Sequence, residues 1–123
     1  MPCDPRQSLG KLGEDLACRE LLRRGYAILD RRFRTRMGEL DIVARDGDTV
    51  VFVEVKARAS DRCGLPAEAV TAAKRRKLVL MATDYVACRR LEGAPCRFDV
   101  VAVEVGERPV VTVYRSAFTV DGV

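Results

Sequence analysis

Histidine is absent from the 123-residue chain, and this absence removes whole classes of enzyme mechanism. Ser-His-Asp and Cys-His catalysis both use an imidazole as the base, so neither can operate here. The cysteines form no CxxC pair; they are Cys3, Cys18, Cys63, Cys88 and Cys96. A structural zinc site therefore has almost no ligands, and no zinc is expected. Any catalysis must rely on carboxylates, lysine, thiols or a bound metal.

Long apolar runs are also absent. The strongly apolar stretches, such as Val50–Val53, fall far short of the ~18–20 residues that span a membrane. No apolar segment lies close behind Met1, so the sequence predicts no secretory signal. An odd number of dispersed cysteines is typical of reduced thiols that pack as small core residues. We therefore expect a cytoplasmic protein that has no membrane partner.

Aromatic residues make up only 6% of the chain and tryptophan is missing, so base stacking on an aromatic platform has no support. Charged residues are abundant at 33%, and the formal net charge is +4. Most of the basic residues are arginine, whose planar guanidinium suits phosphate. This composition favours an anionic partner, although an arginine-rich genome would produce the same bias.

The predicted elements follow the order α-β-β-β-α-β-β in a single domain of residues 1–123, with no internal repeat or linker. Their bounds are a helix over Ser8–Arg24, strands over Tyr26–Arg34, Gly38–Arg45 and Thr49–Ala57, a loop over Arg58–Leu65, a helix that starts between Pro66 and Thr71 and runs to Arg90, and strands over Arg97–Val105 and Val110–Arg115. The pattern is typical of an α/β (α+β) fold.

Both helices have recognisable faces and ends. Ser8 suits the N-cap of the first helix and Gly25 suits its C′ position. The predicted buried stripe of this helix is Leu9, Leu12, Leu16, Ala17 and Glu20. On the second helix, one face is predicted to carry Lys74, Leu78, Met81 and Tyr85.

A predicted hairpin brings unlike residues together. Its first strand alternates, with Leu40, Ile42 and Ala44 on one face and Glu39, Asp41 and Val43 on the other. On its second strand Glu54 and Lys56 are two residues apart and share a face. A turn of Asp46 and Gly47 would place Asp41 opposite Phe52, whereas a four-residue loop would place it opposite Glu54. In either register Asp41, Glu54 and Lys56 lie on one face.

Two carboxylates and an ammonium on an otherwise apolar strand need partners or a metal to offset the loss of hydration. Paired carboxylates are hard oxygen ligands that suit Mg²⁺ or Mn²⁺. A neighbouring lysine can align water or neutralise charge on a reacting phosphate. These residue types therefore favour phosphodiester hydrolysis. A cross-strand salt-bridge ladder is the structural alternative.

Longer motifs connect the chain to a known family. They are Gly10–Glu14 with Ala17, Gly25–Leu29, Gly38–Ala44, Val51–Arg58, Gly64–Val70, Lys74 and Arg97–Val103. Together they resemble the YraN family of uncharacterised bacterial proteins over almost the whole chain. The fold of that family resembles Holliday-junction resolvases and restriction endonucleases of the PD-(D/E)xK nuclease superfamily. The resemblance implies an α-β-β-β-α-β core in which helices flank a mixed central sheet.

The superfamily pattern implies that Asp41 and Glu54 are metal ligands and that Lys56 is the catalytic lysine. Leu40 replaces the proline that names the superfamily, which is a common departure. In resolvase-like members a glutamate on the first helix joins the metal site, and Glu14 occupies that position. By helical-wheel angle Glu14 flanks the buried stripe, so a surface role is its alternative. Lys74 is either a phosphate contact or a surface lysine.

Basic residues accompany this site. Those predicted to contact nucleic acid are Arg32, Arg34, Arg36, Arg58 and Lys74. A basic stretch lies just before the site and consists of Arg31, Arg32, Arg34 and Arg36. A solvated surface is the alternative role for this stretch. We therefore expect a cytoplasmic endonuclease that depends on Mg²⁺ or Mn²⁺, uses no organic cofactor and acts on DNA or RNA, of which DNA is favoured. Junction resolution needs two active sites, so the resemblance also suggests a homodimer. A non-catalytic nucleic-acid-binding module and a partner-binding assembly protein are the rival functions.

Overall fold

Runs of β-branched residues separated by short polar turns build one five-stranded sheet, and a helix covers each of its faces. The computed structural model describes residues 5–59 and 71–118. Its elements are α1 (Pro5–Arg23), β1 (Ala27–Thr35), β2 (Gly38–Asp46), β3 (Thr49–Arg58), α2 (Ala72–Cys88), β4 (Cys96–Glu104) and β5 (Val110–Phe118). The predicted order and the predicted fold class are confirmed.

The strands lie in the order β1-β2-β3-β4-β5, so chain neighbours are also sheet neighbours. β3 and β4 are parallel and the other three pairings are antiparallel. A parallel pair requires a crossover connection, and α2 lies within the connection between β3 and β4. The sheet is therefore mixed, as the sequence predicts, and β3 is its central strand.

Alternation along β3 divides the core into two clusters. Val50 and Phe52 pack under α2, whereas Val51 and Val53 pack under α1. The α2 residues buried in the first cluster are Leu78, Met81, Ala82 and Tyr85. The predicted apolar face of this helix is thus confirmed. Because side chains alternate with a period of two, Glu54 and Lys56 continue on the side of the sheet covered by α2.

The first helix differs from the prediction at its start and in its buried face. It begins at Pro5 rather than after Ser8. Leu12, predicted to be buried, is 45% exposed. The residues that face the sheet are Gly13, Glu14, Ala17, Cys18 and Leu21. The reason is steric: a Cβ at position 13 would lie 2.5 Å from the Cβ of Ala57, so the helix turns its smallest residue towards β3.

The ends of the helices mostly agree with the prediction. Gly25 has φ +91°, and the amide of Tyr26 donates to the carbonyl of Leu21, which together close α1 in the expected way. Thr71 caps α2 by accepting from the amide of Lys74 at 3.2 Å. This helix ends at Cys88, two residues before the predicted Arg90. Neither helix is long and apolar enough, within the described residues, to cross a membrane.

The structure differs from the sequence prediction in β2 and at the end of β3. Leu40 was predicted to share a face with Ile42, but it packs with Val43 in the cluster under α2. The alternation of β2 therefore breaks at Asp41, and Arg32 on the neighbouring strand has φ +54°. The predicted loop at 58–65 overlaps the end of β3 at Arg58, and residues 60–70 lie outside the described part of the chain.

The close approach of α1 to β3 leads to a prediction about stability. Gly13→Ala should lower the free energy of unfolding by about 1–3 kcal/mol, because its Cβ would overlap the Cβ of Ala57 on a central strand. Gly10→Ala in the same helix is the matched control, since a Cβ there meets nothing within 4 Å. That control should raise stability by about 0.5–1 kcal/mol. Denaturant titration measures both, and equal gains would contradict the proposed packing.

Candidate active site

The central strands of the sheet separate partway along their length. β1 and β2 stay paired to Thr35 and Gly38, and β3 and β4 stay paired to Arg58 and Glu104. The β2–β3 ladder, however, stops at the pair of Ile42 and Val53. We call this opening between β2 and β3 the fork. It begins where Asp41 and Glu54 would form the next pair.

The hairpin register distinguishes the two alternatives that the sequence left open. Arg45 pairs with Val50, as expected for the longer loop, and Asp46 pairs with Thr49, so only Gly47 and Asp48 form the turn. In this register Asp41 lies across from Glu54. The prediction that these two carboxylates come together on one side of the sheet therefore agrees with the structure: both line one cavity.

Asp41 takes over a backbone hydrogen bond where the ladder ends. Its Oδ2 accepts from the amide nitrogen of Val55 at 2.9 Å. Burial, followed by the nearby charge of Glu54, raises the pKa of Asp41 to about 7, although the Val55 bond acts in the opposite direction. Within the described residues no lysine or arginine forms a salt bridge with Asp41. Among these residues Asp41 has no salt-bridge partner, although the charge of Lys74 acts to lower its pKa.

Glu54 is the carboxylate that does have cationic partners. Lys74 Nζ lies 2.8 Å from its Oε1, and Lys56 Nζ lies 3.7 Å from the same oxygen. Burial and the neighbouring Lys74 lower the pKa of Lys56. Burial also acts to lower the pKa of Lys74, but the hydrogen bond to Glu54 helps to outweigh it, so that pKa is raised.

A cavity of about 450 Å³ opens beside these groups, between the fork and α2. Asp41, Glu54 and Lys74 line it together with Glu39 and Lys77. Glu39 was predicted to share the face of Asp41, and its Oε2 accepts from Arg34 at 3.1 Å. The cavity therefore offers both carboxylates and ammonium groups to a bound molecule.

Glu14 approaches the fork from α1 and is more buried than the helical wheel predicted, with 7% of its surface exposed. Arg31 Nη2 lies 3.0 Å from its Oε1 and Arg32 Nε lies 3.2 Å from its Oε2. After burial and Glu54, the charge of Glu14 is a further cause of the raised pKa of Asp41. The structure therefore places Glu14 near the site, with both of its oxygens held by arginines.

The predicted nucleic-acid contacts separate into different environments. Lys74 lies at the cavity, Arg32 turns to Glu14, and Arg34 pairs with Glu39. Arg36 is exposed in the β1–β2 turn. Arg58 ends β3, half-buried, and its carbonyl accepts from the amide of Val105.

Sequence reasoning missed two contributors to the site. Arg31 was placed only within a basic stretch, yet it pairs with Ile42 in the register and reaches both Glu14 and Asp15. Its side of the sheet follows from strand alternation once that register is known. The amide of Val55 had no sequence signal, because any non-proline residue supplies one.

We expect a structural hydrogen-bonding role for Asp99, which lies in the Arg97–Val103 motif, and its side chain is fully buried. Its carboxylate accepts from Arg97 Nε at 2.9 Å and from the amide of Ser116 at 2.9 Å. These bonds satisfy the buried charge locally, which supports the structural role.

The residues present fit a hard divalent cation. No group of three or more His, Cys, Asp or Glu side chains suited to a metal occurs within residues 5–59 and 71–118. Apart from Glu39, which pairs with Arg34, the carboxylates that line the cavity are Asp41 and Glu54, and Glu14 lies nearby, held by Arg31 and Arg32. Mg²⁺ commonly uses only one or two protein carboxylates and takes its other ligands from water and substrate phosphate. Burial, followed by the charge of Glu54, raises the pKa of Asp41, and a divalent cation between the two carboxylates would favour its ionised form.

Comparison with known proteins gives one consistent match. The model of the uncharacterised protein family UPF0102 matches residues 13–103. A UPF0102 protein of Syntrophotalea carbinolica is 50% identical over 118 residues, which cover 95% of this chain and 96% of the relative. A UPF0102 protein of Symbiobacterium thermophilum is 51% identical over 98 residues, covering 80% and 83%. One from Anaeromyxobacter dehalogenans is 48% identical over 120 residues, covering 97% and 90%.

The raised pKa of Asp41 predicts how stability depends on pH when metal is chelated. The folded state keeps a proton that the unfolded chain, with a pKa near 3.8, has lost, so Asp41 lowers stability as pH rises from about 4 to about 7. Asp41→Asn should therefore raise the free energy of unfolding by on the order of 2 kcal/mol at pH 8 and change it little at pH 4.

Urea titrations across this pH range, with EDTA present, measure the effect. Glu39→Gln is the matched control, because Glu39 lines the same cavity but is exposed and paired with Arg34. Its effect should stay within about 0.5 kcal/mol. If Asp41→Asn keeps the pH dependence of the wild type, ionisation of Asp41 is not the cause of the loss of stability at high pH.

Proposed function

The chain belongs to the UPF0102 (YraN) family, and from that premise and the geometry of the fork we propose that it is a metal-dependent nuclease that hydrolyses phosphodiester bonds. The observation that supports this most is the meeting of Asp41, Glu54 and Lys74 at one cavity, with Lys56 Nζ 3.7 Å from Glu54 Oε1. Carboxylates for a metal and ammonium groups for a phosphate are the parts that this reaction needs.

Each residue has a role in this proposal. Asp41 and Glu54 would hold Mg²⁺ or Mn²⁺, with no zinc and no organic cofactor. A bound divalent cation polarises a phosphate and lowers the pKa of a bound water. Lys56, fixed on the central strand, neutralises negative charge that gathers on the phosphoryl oxygens and orients the attacking water. Because Arg31 and Arg32 hold its oxygens, Glu14 acts on the site through its charge in this arrangement.

The proposed substrate is nucleic acid, DNA rather than RNA, met in the cytoplasm. Arg36 lies exposed in the β1–β2 turn, and Lys77 lies exposed on α2, where it lines the cavity. Neither forms a salt bridge within the described part of the chain, so both can contact phosphate. For a branched junction, a homodimer would supply the two active sites that resolution needs.

A non-catalytic nucleic-acid-binding module is a second candidate, because Lys74 and Lys56 already compensate Glu54 without a metal. The same ion pairs suit a partner-binding protein. Incubation with labelled branched, duplex and single-stranded DNA and with RNA, in Mn²⁺ or EDTA, separates these functions. We expect strand cleavage in Mn²⁺ that Glu54→Gln abolishes. Salt-sensitive binding without cleavage would select the binding module, and no binding would select the partner-binding protein.

Lys56→Met should separate binding from chemistry. Loss of its charge should slow single-turnover cleavage by about 10²–10³-fold, while substrate affinity falls only slightly because several arginines remain. Lys11→Met is the matched control, since Lys11 is an exposed lysine of α1 whose salt-bridge partner is Asp15. Rapid-quench kinetics beside a binding isotherm measure both quantities. Cleavage by Lys56→Met at the wild-type rate would remove Lys56 from the mechanism.

Arg34 at the end of β1 and Arg36 in the β1–β2 turn should determine part of the salt dependence of DNA binding. Replacing Arg34 and Arg36 by glutamine should flatten the slope of log K against log salt by about 2, because each neutralised phosphate contributes about 0.9. Arg32 is left in place because it holds Glu14. Arg45→Gln with Arg115→Gln removes two charges at the hairpin end of the sheet and should leave the slope unchanged. Fluorescence anisotropy across a salt series measures these slopes. If the Arg34 and Arg36 variant has the same slope as the wild type, these two arginines do not contact phosphate.

A further inference from the structure

Glu54 is shared by two lysines that reach it from different elements. Lys56 follows it on β3, whereas Lys74 extends from the first turn of α2, and both ammonium groups address the same oxygen, Oε1. Lys74 makes the shorter contact, 2.8 Å against 3.7 Å. The helix-borne lysine is thus the principal counter-ion of Glu54, although Lys56 is its neighbour on the strand.

This arrangement places like charges close together. Both ammonium groups lie beside the same oxygen, Glu54 Oε1, at 2.8 Å for Lys74 and 3.7 Å for Lys56. The formal charges of Asp41, Glu54, Lys56 and Lys74 cancel when all are ionised. A divalent cation between the carboxylates would turn this balance into an excess of two positive charges. Such an excess repels a nearby ammonium and attracts a phosphate.

Lys74 is the group best placed to move. Its side chain is 34% exposed and lines the cavity, whereas Lys56 is 27% exposed and rises from a strand paired on one side with β4. The first turn of α2 contains no acidic residue to offset its positive dipole. Glu54 supplies the negative charge that pairs with Lys74 in the present arrangement. Once a cation neutralises Glu54, an anion in the cavity is the remaining source of compensation.

We propose that Lys74 holds the cation position of Glu54 in the metal-free protein and gives up this carboxylate when a divalent ion binds, which frees its ammonium for a substrate phosphate. This inference rests on the proposed function, because it assumes that Asp41 and Glu54 take a metal. Lys74 then opposes metal binding before substrate arrives and supports it afterwards. Metal and nucleic acid therefore bind cooperatively, each tightening the binding of the other.

The test is calorimetric titration of Mn²⁺ into the full chain without nucleic acid. Lys74→Met should bind Mn²⁺ at least about fivefold more tightly than the wild type, because the competing ammonium is gone. Arg76→Met is the matched control: it removes one charge from the exposed face of the same helix and should leave the affinity within about twofold. Lys74→Gln, measured in parallel, should reproduce the gain with a polar side chain.

A second titration measures the coupling itself. With a short phosphorothioate duplex present, the wild type should bind Ca²⁺ more tightly than without DNA, and Lys74→Met should lose most of this gain. If the wild type binds Mn²⁺ but neither Lys74 variant binds it more tightly, this inference is wrong and the proposed function stands. If none of the proteins binds Mn²⁺, both are wrong. Tightening by Arg76→Met equal to that by Lys74→Met would also overturn direct competition.

Discussion

The arrangement of the site depends on the place where the β2–β3 ladder stops. Up to Ile42 and Val53 the two strands pair through their backbones, but the amide of Val55 is bonded to the carboxylate of Asp41. A side-chain acceptor thus replaces a backbone acceptor, which keeps the amide satisfied while the strands separate. This exchange holds Asp41 beside Glu54 at the start of the fork. Burial of Asp41, followed by the nearby charge of Glu54, raises the pKa of Asp41.

The helix α1 contributes to the same fork through a contact and a charge. Gly13 allows the helix to approach Ala57 on β3, and this approach carries the adjacent Glu14 into a buried position. Arg31 and Arg32 then satisfy Glu14 from β1. A buried charge is tolerated when it is paired and hydrogen-bonded, so these arginines stabilise the placement of α1. Arg31 and Arg32 therefore have a structural role at the site that is independent of any contact with nucleic acid.

The sequence predicts the side-chain positions that follow from the regular alternation of a strand. It does not predict the positions that depend on local breaks in this alternation. The shared face of Glu54 and Lys56 follows from their spacing on a regular strand. Leu40 was placed on the wrong face because the alternation of β2 breaks at Asp41. The contact of Arg32 with Glu14 could not be predicted, because the positive φ of Arg32 and the burial of Glu14 lie outside any periodic pattern. The buried face of α1 was misplaced because hydrophobicity gives little weight to Gly13, whose small size decides the packing.

We propose above all that Asp41 and Glu54 bind a divalent cation at the fork. The most direct measurement is the anomalous difference density of crystals grown with Mn²⁺. We expect a peak bridging the two carboxylates, with Lys74 Nζ displaced from Glu54 Oε1 beyond its present 2.8 Å. No peak at the fork under saturating Mn²⁺, with the Lys74–Glu54 contact unchanged, would contradict the claim.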